Sequence, residues 1–552
     1  MSTTGQQRAA ETETVPVLIV GGSLVGLSAS LFLSFHGIPS LLVERHSGIS
    51  PHPRAFNFNM RTMEIFRAVG AEEAVRRKAP PHFQSSGILQ AESLVGREFG
   101  WITQDTTSSD LSPLAGCIIG QDALEPVLRE RALELGSAMR FSTEFVSFEQ
   151  DSEGVNAVIR DRTSGVESRV RARYLIAADG NRSAIRQQLG IRTFGPGSLG
   201  HQLSILFQAD VEGPLRGRKL AVCFVNNPGV RKGTSLVFAR NGDGFALFTP
   251  YRPDQEQEAD FAGERGVELV RAAVGVPDLP VEILNVTPWE VAAWAAQRFQ
   301  EGRVFLAGDS AHVTPPAGAF GANTGIADAY NLAWKLALVL QEKADPGLLL
   351  TYSQERQPVV RGTAEQSFAM FTRFAAGPGS AQEGKPILPY NSIAFGYRYQ
   401  GAHLPAESGE EEPFENPHEP SGRPGSHAAH VVLYQGEQQF STLDLFGKHF
   451  VLLTGAQGSY WREPAQRVAA RLGLPLDIYH IDGEDGFASP EQRFLSAYGL
   501  HEDGAVLVRP DGFIAWRAVT SCQNPAAAIE QALHLQFVQP AHKEQKEAVT
   551  SH

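Results

Sequence analysis

Cysteine is scarce: three in 552 residues (Cys117, Cys223 and Cys522), with no C-x-x-C pair and no metal-site spacing. That excludes a disulfide framework and a dithiol centre, predicts no metal, and points to a reducing compartment. Long apolar runs are missing too. None approaches the roughly 18–20 residues that cross a bilayer, so no membrane segment is expected. Basic charge is in deficit, 48 Lys and Arg against 61 Asp and Glu for a net −13, which argues against nucleic acid or an anionic membrane as partner. The opening stretch MSTTGQQRAAETET is polar and has no signal-peptide order, so a soluble, cytoplasmic protein is the expectation. What is present, 42% hydrophobic and 20% charged residues, is globular, and at roughly 150 residues per domain the length predicts two to four domains.

Three motifs carry chemistry. Val15–Val20 is a short β-rich run that enters Gly21–Gly26 (GGSLVG), followed by a helical stretch and a second apolar strand ending at Glu44. Glycines let the backbone approach a pyrophosphate, the helix N-terminus offers N–H groups to it, and an acid at the next strand end accepts from ribose hydroxyls. Ser23 replaces the middle glycine of G-x-G-x-x-G. The second motif is Gly302–Ala327, GRVFLAGDSAHVTPPAGAFGANTGIA, in which a buried strand delivers Asp309 at its C-terminal end. A Gly/Pro loop then feeds a helix predicted from Thr324 through Leu340. Its N-terminus suits a developing negative charge, such as the N1–C2=O edge of a reduced flavin. Asp309, Ser310 and His312 lie too close in sequence for a hydrolase triad. The third motif, Asp179–Arg186 (DGNRSAIR), follows another buried strand. Arg182 and Arg186 could hold a second anionic partner, or the segment could be a capped turn; spacing alone leaves both open.

Between these motifs, residues 200–286 alternate polar and apolar positions between Gly/Pro/Asn turns, which predicts a mostly antiparallel sheet. Residues 406–425 (AESGEEEPFENPHEPSGRPG) read as a linker. A separate α/β pattern follows it.

Taken together, GGSLVG with VERH, His52–Ala55 (HPRA), DGNRSAIR and GDSAHVTPPAGAFGANTGIADAYNLAWKLA resemble the class A FAD-dependent aromatic hydroxylases, over roughly residues 15–375. The C-terminal STLDLFG and VLVRPDGFIAWR resemble the thioredoxin-like tail of the phenol- and polyketide-hydroxylase branch. The resemblance implies an α/β fold: a Rossmann-like FAD-binding domain (15–80, 110–195 and 296–380) with an inserted, mostly antiparallel β-sheet substrate domain (81–109 and 196–295). A connecting segment (381–425) and a thioredoxin-like α/β domain without C-x-x-C (426–540) complete it. The tail's expected role is packing or subunit contact, and a homodimer is compatible with it.

The resemblance also implies the cofactor contacts. Gly21, Gly22, Ser23 and Gly26 line the FAD pyrophosphate, and Glu44 takes the adenosine ribose with Arg45 beside it. Arg54 and Gln121 approach the flavin side. Asp179 serves cofactor binding and nicotinamide use, Asp309 the ribityl chain, and Pro315, Gly321, Ala322 and Asn323 flank the isoalloxazine. Ala319 and Phe320 stand where the family often has Gly and Gln. The implied activity is a monooxygenase using NADPH or NADH and O2 to hydroxylate a phenolic or aromatic polyketide through a flavin C4a-hydroperoxide. Phe207, Phe224, Phe238, Phe248, Tyr251 and Trp289 are candidates for the substrate pocket. His201 and Tyr251 are candidates for assisting deprotonation, and no catalytic base is singled out. A Baeyer–Villiger or epoxidising enzyme on the same scaffold, and a non-catalytic flavin-binding protein, are the competing readings. A halogenase lacks its W-x-W-x-I-P element here.

Overall fold

The computed structural model describes residues 12–49, 55–81, 87–102, 110–238, 244–376, 386–401, 403–405, 407, 413–483 and 486–537. Its first sheet runs in the order Gln300–Glu301, Val304–Leu306, Glu167–Ala177, Glu13–Val20, Ser40–Val43 and Ala138–Arg140, with Thr143–Gln150 and Val155–Asp161 as an antiparallel extension. The four strands from Val304–Leu306 to Ser40–Val43 pair in parallel, as does the edge Ala138–Arg140. Helices cover both faces, so Val17–Val20 and Ser40–Val43 are buried without alternation. The principal covering helices are α1 (Leu24–Phe35), α2 (Met60–Ala68), α3 (Gln121–Glu134), α4 (Phe320–Leu340) and α5 (Leu350–Ala376). α4 starts four residues before the predicted Thr324, because Phe320 is buried and stacks on Tyr390 at 5.4 Å, giving the glycine-rich first turn an anchor.

The second sheet has eight strands, ordered His312–Val313, Glu282–Ala296, Thr193–Gln208, Phe245–Tyr251, Thr234–Val237, Leu220–Val225, Gly87–Ala91 and Glu98–Ile102. All pairs are antiparallel except Leu220–Val225 with Gly87–Ala91. The helix Glu264–Val274 packs behind it, within a cluster containing Leu203, Ile205, Phe207, Leu236 and Leu247. Opposite parity places Val222, Phe224, Val237, Ala246 and Phe248 on the other face, against Phe56 and Ile118 of the first domain.

The C-terminal sheet runs Leu476–His480, Phe450–Thr454, Ala505–Val508 and Ile514–Ala518, flanked by helices Arg462–Leu472 and Pro525–Phe537. The stretch expected to be a free linker is strapped down where it is described. Arg398 N donates to Pro413 O, Glu415 N to Gly396 O, and Tyr399 N to Gly425 O, while Phe414 packs beside Tyr397, Tyr399 and Phe513. Paired backbone and one half-buried ring explain why an acidic, Pro-rich composition is held in place here. Among the described residues no helix is long and apolar enough to cross a membrane, and no cluster suits a metal ion.

Candidate active site

The glycine turn leaves no room for side chains. A Cβ on Gly21, whose φ is +110°, would lie 2.2 Å from Ala178 O, and one on Gly26 would lie 1.9 Å from Gly21 O. One on Gly22 would lie 2.6 Å from Glu44 Cβ. The Glu44 carboxylate accepts from Gly22 N at 2.6 Å and from His46 N at 2.8 Å, which fixes it at the strand end; Arg45 beside it is exposed. Ser23 is the N-cap of α1 but its side chain does not cap the helix. Its hydroxyl donates to Glu125 Oε1 at 2.7 Å and accepts from Gln121 Nε2 at 3.0 Å. The departure from glycine is thus absorbed by α3, since the hydroxyl is taken up behind the turn. Gln121 also receives Ala55 N at 3.3 Å, next to the HPRA segment. Arg54 itself lies outside the described residues.

Asp309 is exposed although Val304–Gly308 and Ser310 are buried, so its side chain stands out from the end of a buried strand. The turn behind it is tied to α4 and α5 through Asp328. Asp328 Oδ2 accepts from Gly308 N at 3.1 Å and from His312 Nε2 at 2.7 Å, and Oδ1 from Arg356 Nε at 2.8 Å. Burial works to raise the Asp328 carboxyl, but His312 and Arg356 outweigh it and hold the group below its ordinary value. His312 is therefore a strut, fully buried and stacked on Phe299.

The DGNRSAIR segment meets this turn from the neighbouring strand. Arg186 is buried, donates to Ser310 O at 2.8 Å and Asn181 O at 3.0 Å, and lies over Trp294. It is a tie between two motifs and is not open to an anionic ligand; Arg182 is exposed. Ser183 caps the short helix that follows. Asp179 keeps its Oδ1 buried without a partner, and burial raises its pKa.

At the start of α4, Ala319 adopts the left-handed conformation (φ 54°), no side chain caps the helix, and no acid sits in its first turn. Asn323 accepts Asn59 N at 3.0 Å and Thr62 Oγ1 at 2.6 Å, and donates to Asn57 O and Ala319 O. Ser367 of α5 donates to Pro315 O at 3.0 Å and Ala317 O at 2.8 Å, fixing the loop ahead of Gly321 and Ala322. Thr314 Oγ1 is buried without a partner beside Gly321. Two uncapped helix starts, a glycine cradle closed to side chains and orphaned polar atoms at Asp179 and Thr314 fit a dinucleotide with a second polar ring system.

Residues 14–367 match the family described as FAD binding domain, and residues 421–540 match Aromatic-ring hydroxylase, C-terminal. The chain belongs to the FAD-dependent aromatic-ring hydroxylases. The hydroxylase is 46% identical to 4-methyl-5-nitrocatechol 5-monooxygenase of a Burkholderia species, covering 94% of this chain and 97% of that one. It is 40% identical to tetracenomycin A2 monooxygenase-dioxygenase of Streptomyces glaucescens, covering 95% and 96%. Its fold superposes on the crystal structure of aklavinone-11 hydroxylase in a ternary complex with FAD and aklavinone, with a TM-score of 0.90, 36% identity and coverage of 96% and 99%. FAD is the hydroxylase's cofactor.

On the substrate side the predicted aromatics divide by strand parity. Phe224, Phe248 and Trp289 share the face toward the FAD domain, where Phe248 and Trp289 meet edge to face at 5.6 Å. Phe207 and Phe238 are corrected: both belong to the cluster behind the sheet. Tyr251 is corrected likewise, since it packs on that cluster, meets Phe261 and donates to Glu256 O at 2.9 Å. His201 pairs with Tyr251 across the strands and so shares its outward side. Sequence reasoning missed Glu125, Asp328, Arg356 and Ser367. The single acid in GIADAYNLAWKLA was the available signal for Asp328.

Proposed function

We propose that this hydroxylase inserts one oxygen atom of O2 into the ring of a phenolic, flat aromatic substrate of the polyketide type, with NADPH or NADH as reductant. FAD, when bound, supplies the hydride acceptance and oxygen activation. The glycines Gly21, Gly22 and Gly26, with Ser23 turned aside, admit the pyrophosphate to the start of α1. Glu44 offers its carboxylate to the ribose, with Arg45 beside it, and Gln121 holds the turn. Asp309 receives the ribityl hydroxyls. Pro315, Gly321, Ala322 and Asn323 form the loop and first turn of α4 against the isoalloxazine, where the helix N-terminus favours negative charge. Asp179 serves both cofactor and nicotinamide in this reading.

The observation that carries the substrate reading is the inner sheet face, an apolar surface with the paired rings Phe248 and Trp289, facing Phe56 and Ile118 of the FAD domain. A surface of this kind binds planar rings and keeps water from the reacting centre. The names of the relatives support the same class of substrate. The test is NADPH and NADH consumption by the purified yellow protein against phenols, naphthols and anthraquinone-type compounds, with peroxide and product mass read together. Accelerated consumption with one oxygen gained on the ring and little peroxide is expected. A ring-expanded ester would replace hydroxylation by Baeyer–Villiger chemistry, and no acceleration by any aromatic would defeat the proposal.

A further inference from the structure

The C-terminal domain reaches the FAD domain with a tight turn, Arg509-Pro510-Asp511-Gly512, joining two of its strands. Arg509 N donates to Phe513 O and Gly512 N to Arg509 O, and Gly512 has a φ of +78°. Its ionic groups are buried in the other domain. Arg509 is fully buried and grips Glu355 of α5 with both terminal nitrogens, at 2.5 and 2.9 Å, while its Nε donates to Asp511 Oδ1 at 3.0 Å. Glu355 also receives Lys335 Nζ and Asn331 Nδ2 of α4, each at 2.7 Å, and His403 Nε2 at 2.6 Å. Asn331 Nδ2 reaches Asp511 Oδ2 at 3.1 Å as well. On the other side of the turn, Arg61 Nη2 of α2 donates to Asp511 O at 2.6 Å.

Both helices lead to the flavin crevice. α2 begins at the Asn59 cap, whose backbone N–H is held by Asn323 in the first turns of α4. α4 carries Asn331 and Lys335 about two to three turns downstream of that same residue. Arg61, Glu64, Tyr330, Pro510, Asp511 and Gly512 border a cavity of about 230 Å3. At this seam directional polar ties and aromatic packing, with Arg509 over Trp334 and Tyr399 and Phe513 stacked on Tyr399, hold the turn beside open space.

We propose that Arg509 and Asp511 are positioning residues for FAD: the C-terminal turn sets the placement of α2 and α4, and thereby of the flavin-facing first turn of α4. The inference rests on the reading that puts the flavin ring at that first turn. It gives the tail, which has no dithiol and no cofactor motif of its own, a part in the active site of the same chain.

The test uses the full-length holoenzyme and FAD itself as the probe. Arg509→Lys keeps the charge against Glu355 but loses the fork shared with Asp511. Asp511→Asn carries the same test should Arg509→Lys fail to fold. The readouts are FAD Kd by quenching of flavin fluorescence, the visible flavin band, and Tm with and without saturating FAD. Expected are a rise in FAD Kd of about tenfold or more, a displaced flavin band, and a smaller rise in Tm on adding FAD. Equal loss of Tm with and without FAD at unchanged Kd would make the turn a packing element and overturn the inference. Gly321→Val separates the two layers. If it leaves FAD binding intact, the placement of the ring falls and the inference with it; if it weakens FAD while Arg509→Lys does not, only the inference falls.

Discussion

Ser23 shows how a residue that departs from a glycine motif can be taken up by its surroundings. A glycine at that position would present nothing to α3; the serine hydroxyl instead sits in a buried polar group with Gln121 and Glu125. Gln121 still donates to Glu125 when the serine is removed, so Ser23→Ala should cost about 1–2 kcal/mol of stability while FAD Kd changes by less than about threefold. Chemical denaturation and a fluorescence titration measure the two. A tenfold loss of FAD affinity with unchanged stability would put the hydroxyl on the phosphate. The glycines around it were legible in the sequence because a strand, a tight turn and a helix must meet there. Glu125 was not: its partner lies 102 residues away, and nothing in the local pattern of α3 marks an acid that faces inward.

At the level of elements, the eight-stranded sheet separates two tasks by alternation. Leu203, Ile205 and Phe207 face the helix behind it, whereas Phe224 and Phe248 face the FAD domain. Phe207→Ala should lower stability by about 3–5 kcal/mol with little effect on the KM of the aromatic substrate. Phe248→Ala should raise that KM about tenfold, the loss expected of a ring contact worth about 1.4 kcal/mol, at a smaller cost in stability. Denaturation curves and steady-state kinetics on the same samples distinguish them; the reverse assignment would reverse the face that meets substrate. The sequence revealed the strands and their aromatics but could not rank them. A strand's alternation says that two faces exist, while which face meets the cofactor is decided by how the insert folds back on the first domain. Glycine bulges near Gly197 and Gly200 also shift the register along the longest strand.

Across the whole molecule, histidines held neutral by their surroundings contribute to the response to acid. His36, at the end of α1, is lowered to about 4 by burial, with Lys448 and His449 of the C-terminal domain adding repulsion. Burial also lowers His403 and His427. A histidine with a depressed folded-state pKa binds fewer protons folded than unfolded, so stability is intact above about pH 6.5 and lost as pH falls toward 4. For His36 alone the loss reaches at most about 3 kcal/mol. Glu64, raised by burial to about 7, gains stability as pH falls through much of the same window, so the test is a difference: His36→Gln should lose less Tm than the parent between pH 6.5 and 4, and identical profiles in the two would mean His36 titrates normally. Neither this coupling nor the buried contacts of Arg509 could be read in advance, because each joins segments more than a hundred residues apart.

The first sheet carries a consequence for synthesis. Its strand Glu13–Val20 emerges early, and its neighbour Glu167–Ala177 pairs with Val304–Leu306 only after the whole insert has been made. At about 5–20 residues per second, a ribosome has long finished the glycine turn before Asp309 and the start of α4 exist to complete the cradle. FAD uptake thus waits until the chain has been made past the start of α4. A chain stalled before Val304 should therefore carry no flavin, and yellow colour should report a chain made past the start of α4.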